Sequence, residues 1–238
     1  MVATWLPVIY MARMDVDAEA LPRFERWYAE RHGPDLLDAG FFSAQAYHCT
    51  VGGPLVCNVY EIPSSEIFYT DAYESKRTRE HDPDRPWILE HVSNRSNTAY
   101  AQVVAAGVEA GDAPWVDGSH PGAVTAPWIS TVRFDVVDPA MGDEFARWFE
   151  AGLVPELTGI DGLTSSRLLR QSGRLHPTNP SSEAEWSLLL EWDSGTSASS
   201  GLDGRHLHDA LGAGPVAIER VTHDVAQSTL SLRRGETA

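Results

Sequence analysis

Cysteine is nearly absent: the 238-residue chain holds two, Cys49 and Cys57. Two thiols cannot form the disulfide framework of a small secreted domain. They could face each other across a hairpin turning at Gly52-Gly53, but a reduced pair in a cytoplasmic core is the simpler reading. Basic residues are also scarce. Eighteen Lys and Arg stand against 34 Asp and Glu, a net charge of −16. Such a chain repels phosphate backbones and anionic headgroups, so nucleic acid and membrane surfaces are not the expected partners. No run approaches the roughly 20 apolar residues of a membrane span. The apolar start lacks a preceding basic segment and meets Arg13 and Asp15 directly, so it reads as a first strand, not a signal peptide. Dinucleotide, P-loop and hydrolase-elbow glycine motifs are missing too. The nearest approach to metal-ligand spacing is His206-x-His208-Asp209, with no second pair to complete it. No metal and no cofactor is therefore expected.

What is present is apolar and aromatic. Apolar residues make up 42%, and 8 Trp, 7 Tyr and 7 Phe call for a core or a pocket. The most informative feature is internal repetition. Residues 24–37 and 145–158 align without a gap: Phe24, Arg26, Trp27, Pro34 and Leu36 match Phe145, Arg147, Trp148, Pro155 and Leu157. Tyr28 matches Phe149 and Asp35 matches Glu156. The flanks repeat as well. Strand-like runs Leu6 to Met14, Phe41 to Thr50, Leu55 to Ile62 and Asn97 to Ala106 have counterparts at Trp128 to Val137, Gly162 to Gln171, Glu185 to Trp192 and Ala217 to Leu232.

Leu21, Phe24, Trp27 and Tyr28 form a helical apolar stripe, and Val132, Phe134 and Val136 alternate along a strand. Each half thus reads β-α-β-β-α-β, a ferredoxin-like split unit in an α+β fold with antiparallel sheets. The expected division is a first repeat over 1–110, a Gly/Pro-rich linker over 111–127 and a second repeat over 128–238. Residues 172–184 and 194–204 read as loops, with a short helix from Gly204 to Leu211.

Trp27-Tyr28, His32, Pro34, Asp35 and Leu36, followed by Gly40-Phe41, resemble the first-helix signature of the dimeric α+β barrel superfamily. Val59 to Ile62, followed by a helix holding Tyr69 and Tyr73, extends the likeness, which is nearest the EthD-like and stress-responsive branch. In that superfamily two ferredoxin-like units pack sheet to sheet into a barrel. Tandem copies imply a barrel closed within one chain, as a monomer with an intrachain barrel or a homodimer. The superfamily spans isomerases, cyclases, cofactor-free quinol monooxygenases and haem enzymes, so fold alone does not decide function. The pattern of its larger haem-binding barrels is not evident here.

The halves differ in chemistry-bearing residues. His32 aligns with Leu153, and the strand of Tyr10 aligns with Ile129 to Val132. The first half is therefore the expected active one and the second its support. His32, near the end of helix one, is the candidate base; a helix cap is the alternative. Tyr10, His48 and Tyr60 are candidates to polarise a substrate oxygen, against ordinary buried roles. Asp35, Trp87 and His91 are candidate substrate contacts; Trp87 and His91, four apart, share a face if that segment is helical.

The expected activity is a cofactor-independent acid/base enzyme acting on a small aromatic or cyclic molecule: a cyclase, isomerase, dehydratase or C–C lyase. Alternatives are a cofactor-free monooxygenase of phenols or quinols, and a non-catalytic ligand-binding or accessory protein.

Overall fold

A computed structural model describes residues 5–109, 122–177, 184–200 and 204–235. Its strands are Val8–Val16 (β1), Ser43–Val51 (β2), Val56–Ile62 (β3), Val92–Ala106 (β4), Trp128–Val136 (β5), Leu163–Gln171 (β6), Trp186–Trp192 (β7) and Ile218–Arg233 (β8). They close one antiparallel barrel in the order β1-β3-β2-β8-β5-β7-β6-β4. The first four strands lie as β4-β1-β3-β2 and the last four as β8-β5-β7-β6, the same permutation. The quartets join where β2 pairs with β8 and β4 with β6, so no sheet edge is left open.

Alternation along the strands explains the layers. In β1, Ile9 and Met11 face the barrel interior with Val59, Tyr47 and Leu189, while Tyr10, Ala12 and Val16 face an outer layer of helices. Both faces are buried, so the strands read as nearly continuous apolar runs.

The outer layer of the first half holds Leu21–Trp27 (α1), a π-helical turn Tyr28–His32, Gly33–Asp38 (α2), Asp71–Ser75 (α3) and Arg85–Glu90 (α4). The second half repeats the break: Gly142–Trp148 (α5), a π-turn Phe149–Leu153 and Val154–Thr158 (α6). Proline follows each π-turn, as Pro34 and Pro155. It cannot donate to the carbonyl four residues back and its ring crowds that oxygen, so the wider i→i+5 bond from Gly33 N–H to Tyr28 O takes over.

Two expectations need correction. The stretch 194–204 is not all loop: Gly195–Ser200 is helical (α7), because Ser194 Oγ accepts from Ser197 N–H at 3.2 Å and Ala198 packs into the core. Gly204–Gly212 (α8) follows. The helical stretch expected after the third strand of the first half, with Tyr69 and Tyr73 on one helix, is instead a 3-10 turn ending at Tyr69 followed by two short pieces, α3 and α4, with β4 starting at Val92 rather than Asn97. Most of the expected linker, and the tip of the 172–184 loop, lie outside the described residues. The linker's end is anchored: Val124 is buried and its N–H donates to Glu61 Oε1 at 3.0 Å. Cys49 and Cys57 are free thiols facing the barrel interior. Among the described residues, no helix is long and apolar enough to cross a membrane.

Candidate active site

Between the first half's sheet and its helices lies a cavity of about 360 Å³. Its floor is the outer face of β1 and β3: Tyr10, Ala12, Met14, Asn58 and Tyr60. Its roof is α1 and the π-turn, which contribute Phe24, Trp27, Tyr28 and His32. The π-turn has a direct geometric effect. Trp27 and His32 are five residues apart, a spacing that diverges on an α-helix, yet their rings stack at 4.5 Å and 10°. Behind the stack, Trp27 Nε1 donates to both carboxylate oxygens of Asp82, each at 3.1 Å. Asp82 in turn accepts from Arg85 N–H at 3.2 Å, which fixes the entry to α4.

The His32 ring presents an edge to the cavity. Among the described residues, neither of its nitrogens has a hydrogen-bond partner. Burial first, and then the positive charges of Arg85 and Arg77, hold its pKa well below the usual imidazole value, so the ring is neutral. From His32 a chain of rings crosses the cavity. Tyr28 meets His32 at 5.8 Å and Tyr60 at 6.4 Å, and Tyr60 stacks on Tyr10 at 5.2 Å. Burial pushes the Tyr10 and Tyr60 hydroxyls well above the ordinary phenol range, so both remain donors. Asn58 Oδ1 is buried without a hydrogen-bond partner, while the buried Tyr28 hydroxyl lies against that of Tyr60. Unsatisfied buried polar atoms are costly unless a ligand or water reaches them.

The far wall comes from the other half of the chain. His176, on the β6–β7 loop, lies parallel to Tyr10 at 6.0 Å and 4°. Its Nε2 is 2.9 Å from the Tyr73 hydroxyl. Burial lowers its pKa to about 4. The loop is held by the Tyr69 hydroxyl donating to Leu175 O at 2.5 Å and by Arg174 N–H donating to Ser65 Oγ at 2.9 Å.

Of the residues singled out from sequence, Tyr10, His32 and Tyr60 line this cavity together. The others do not. His48 lies in a neighbouring cleft, with Nε2 3.4 Å from Glu25 Oε1. That cleft shares Phe24, Tyr28 and Asn58 with the cavity. Asp35 pairs with His81 at 2.9 Å and Lys76 at 3.6 Å, outside the lining. Trp87 and His91 do share a helical face, stacked at 4.1 Å, but they border a separate surface cleft beside Asp17 and Ala20.

Asn58, Arg77, Arg85 and His176 were not anticipated. Asn58 had a signal, a polar residue in phase with Tyr60 in the apolar run Val56 to Ile62. His176 had none, since only the closed barrel brings it within reach of Tyr73.

The corresponding strand positions of the second half carry no counterpart to these tyrosines or to Asn58. The register pairs Val8 with Ile62 and Trp128 with Trp192. Counting along from these, Tyr10, Ala12, Met14, Asn58 and Tyr60 correspond to Ser130, Val132, Phe134, Leu188 and Leu190. Ser130 Oγ accepts from Trp192 Nε1 at 2.8 Å, and Val132, Phe134, Leu188 and Leu190 join the core with Phe145 and Trp186.

No family model and no curated protein sequence matches the chain. Solved structures do. An anthrone oxidase-like protein is similar over 100% of this chain and 97% of its own, with TM-score 0.64 and 13% identity. A protein from Fusobacterium nucleatum, provisionally named a monooxygenase, matches with TM-score 0.60 and 13% identity over 97% of this chain and 95% of its own. One from Lactobacillus acidophilus, named in the same way, matches with TM-score 0.57 and 10% identity over 97% and 98%. At these identities the likeness concerns architecture: the chain has the α+β barrel fold of these proteins.

Proposed function

We propose that this cavity is the active site of an enzyme that removes a proton from a small aromatic or cyclic substrate without a bound cofactor. His32 takes the proton, and the hydroxyls of Tyr10 and Tyr60 donate to the substrate oxygen on which charge develops. The observation that carries this reading is the imidazole of His32, its nitrogens unpaired among the described residues, lining an aromatic cavity with the unsatisfied Asn58 Oδ1 on its wall.

After proton removal, isomerisation, cyclisation or C–C cleavage needs only a second proton transfer. Oxygenation is the second reading, favoured by the names of three structures that share the fold. There the deprotonated carbon gives its electrons to dioxygen, so that a CH₂ group and O₂ become a carbonyl and water. On the repeated helix and shared strand order, we also propose that the halves, 1–110 and 128–238, are duplicated ferredoxin-like units of the EthD-like branch.

Solvent-deuterium exchange at the acidic C–H of a panel of cyclic ketones and anthrones, followed by NMR without oxygen, tests the proton transfer. The wild type should accelerate exchange, and His32→Gln should lose that acceleration by at least about 100-fold. Equal exchange by the variant would remove His32 as the base. Admitting oxygen then separates the two fates: uptake of one O₂ per substrate marks the oxygenase, and none marks the isomerase or lyase class.

A further inference from the structure

The charge on the cavity wall is opposite to that of the molecule. The chain carries a net charge of −16. Yet the lining includes Arg77, Arg85 and Arg95, and no Asp or Glu. Arg77 has Glu74 at 3.4 Å on its outer side, and its guanidinium carbon lies 5.2 Å from the centre of the Tyr73 ring. Arg85 is half-buried, and among the described residues its guanidinium has neither an ion-pair partner nor a hydrogen bond. The acidic residues of its own segment are bonded elsewhere: Asp84 to Arg23, and Asp82 to the Trp27 indole and the Arg85 backbone, so that Asp82 attracts the Arg85 charge without a direct ion pair. A guanidinium held partly out of water without a hydrogen-bonded counter-charge carries an uncompensated desolvation cost. Its planar fork matches a carboxylate better than any other common group.

Resting on the reading of the cavity as an active site, we propose that the substrate carries a carboxylate, bound at Arg85 with Arg77 beside it, while its ring lies against Tyr60 and Tyr10. The cavity therefore selects aromatic or cyclic acids over their neutral analogues. Arg95, exposed at the rim, steers the anion towards the opening. This assignment gives the arginines a second effect. The same two guanidiniums depress the His32 pKa in the free protein. A bound carboxylate offsets their field and raises the pKa of His32 towards the working range of a general base. The base is thus strengthened when the correct substrate arrives.

Isothermal titration with 1-naphthoate and with 1-naphthalenemethanol, which has the same ring but no charge, tests the proposal in the full-length chain. The wild type should bind naphthoate at least tenfold more tightly than the alcohol. Arg85→Gln should abolish that preference, Arg85→Lys should restore part of it, and neither change should affect binding of the alcohol. Arg77→Gln provides a second variant, expected to weaken naphthoate severalfold. NMR titration of the His32 ring should show its pKa rising when naphthoate, but not the alcohol, is bound. Equal binding of the two ligands, or full naphthoate affinity in both Gln variants, would overturn the carboxylate assignment and leave the aromatic cavity standing. If neither ligand binds the wild type at millimolar concentration, the cavity reading falls and the carboxylate assignment with it.

Discussion

His32 owes its position to a neighbour five residues away and to a carboxylate fifty residues further on. Trp27 covers one face of the imidazole, and Asp82 holds Trp27 by its indole N–H. Removing that acceptor leaves a buried N–H unpaired. Asp82→Ala should destabilise the protein by about 1–3 kcal/mol in urea unfolding. It should also loosen the stack, visible as a change in Trp fluorescence and in the His32 ring chemical shifts. Asp82→Asn keeps one acceptor and should recover most of the loss.

Residue type alone pointed to His32, Tyr10 and Tyr60, because a lone imidazole absent from the second copy and tyrosines on apolar strands are conspicuous. It could not distinguish Arg85 from the surface arginines, since what separates them is an unpaired guanidinium in a half-buried place, which is a property of packing. It also brought in His48, Asp35, Trp87 and His91, which lie outside the cavity lining. Asp35 is near His32 in sequence, but the turn directs it to His81 and Lys76.

At the scale of elements, one architecture carries different side chains on the outer faces of its two half-sheets. Both halves have a proline-induced π-turn over the outer face of their sheet. The difference lies in strand residues of alternating phase. Ala12, Met14 and Asn58 line the cavity, where their counterparts Val132, Phe134 and Leu188 are larger or apolar and belong to the second half's core. Transplanting those counterparts tests this. The triple variant Ala12→Val, Met14→Phe, Asn58→Leu should fold and should weaken naphthoate at least tenfold. Loss of the unpaired Asn58 Oδ1 should offset any crowding, so that stability changes by less than about 2 kcal/mol by urea unfolding. Retained affinity would place the binding site elsewhere. Most strand positions were legible to within a few residues because strands buried on both faces read as short, nearly continuous apolar runs bounded by turn residues. The crossover helices of the first half were not, since pieces as short as α3 and α4 carry too few turns for a 3.6-residue period to register.

For the whole molecule, barrel closure brings ionisable groups into an interior that no single half encloses. At one end Asp224 of β8 accepts from Arg13 of β1 at 2.8 Å and from Arg133 of β5 at 3.0 Å. At the other, Glu191 of β7 takes Arg167 through Nη2 at 2.7 Å and Nε at 2.9 Å. Glu61 of β3 is buried near the same arginine, but among the described residues its side chain accepts only from Ser43 Oγ at 2.7 Å and Val124 N–H at 3.0 Å. With Arg167 committed to Glu191, burial dominates and lifts the Glu61 carboxyl to about 7.

The sign of the linkage follows. Between the unfolded value near 4.5 and the folded value near 7, the native state holds a proton that the unfolded chain releases. Stability from this group therefore falls as pH rises through that window, by up to about 3 kcal/mol, and is flat above it. Gln imitates the protonated carboxyl, donating to the Ser43 oxygen and accepting from Val124 N–H. Glu61→Gln should match the wild type near pH 4.5 and become progressively more stable than it up to pH 7–8, as read from urea unfolding across that range. A difference that stays constant with pH would mean that Glu61 is ionised throughout, and that Arg167 serves both carboxylates of the closed barrel.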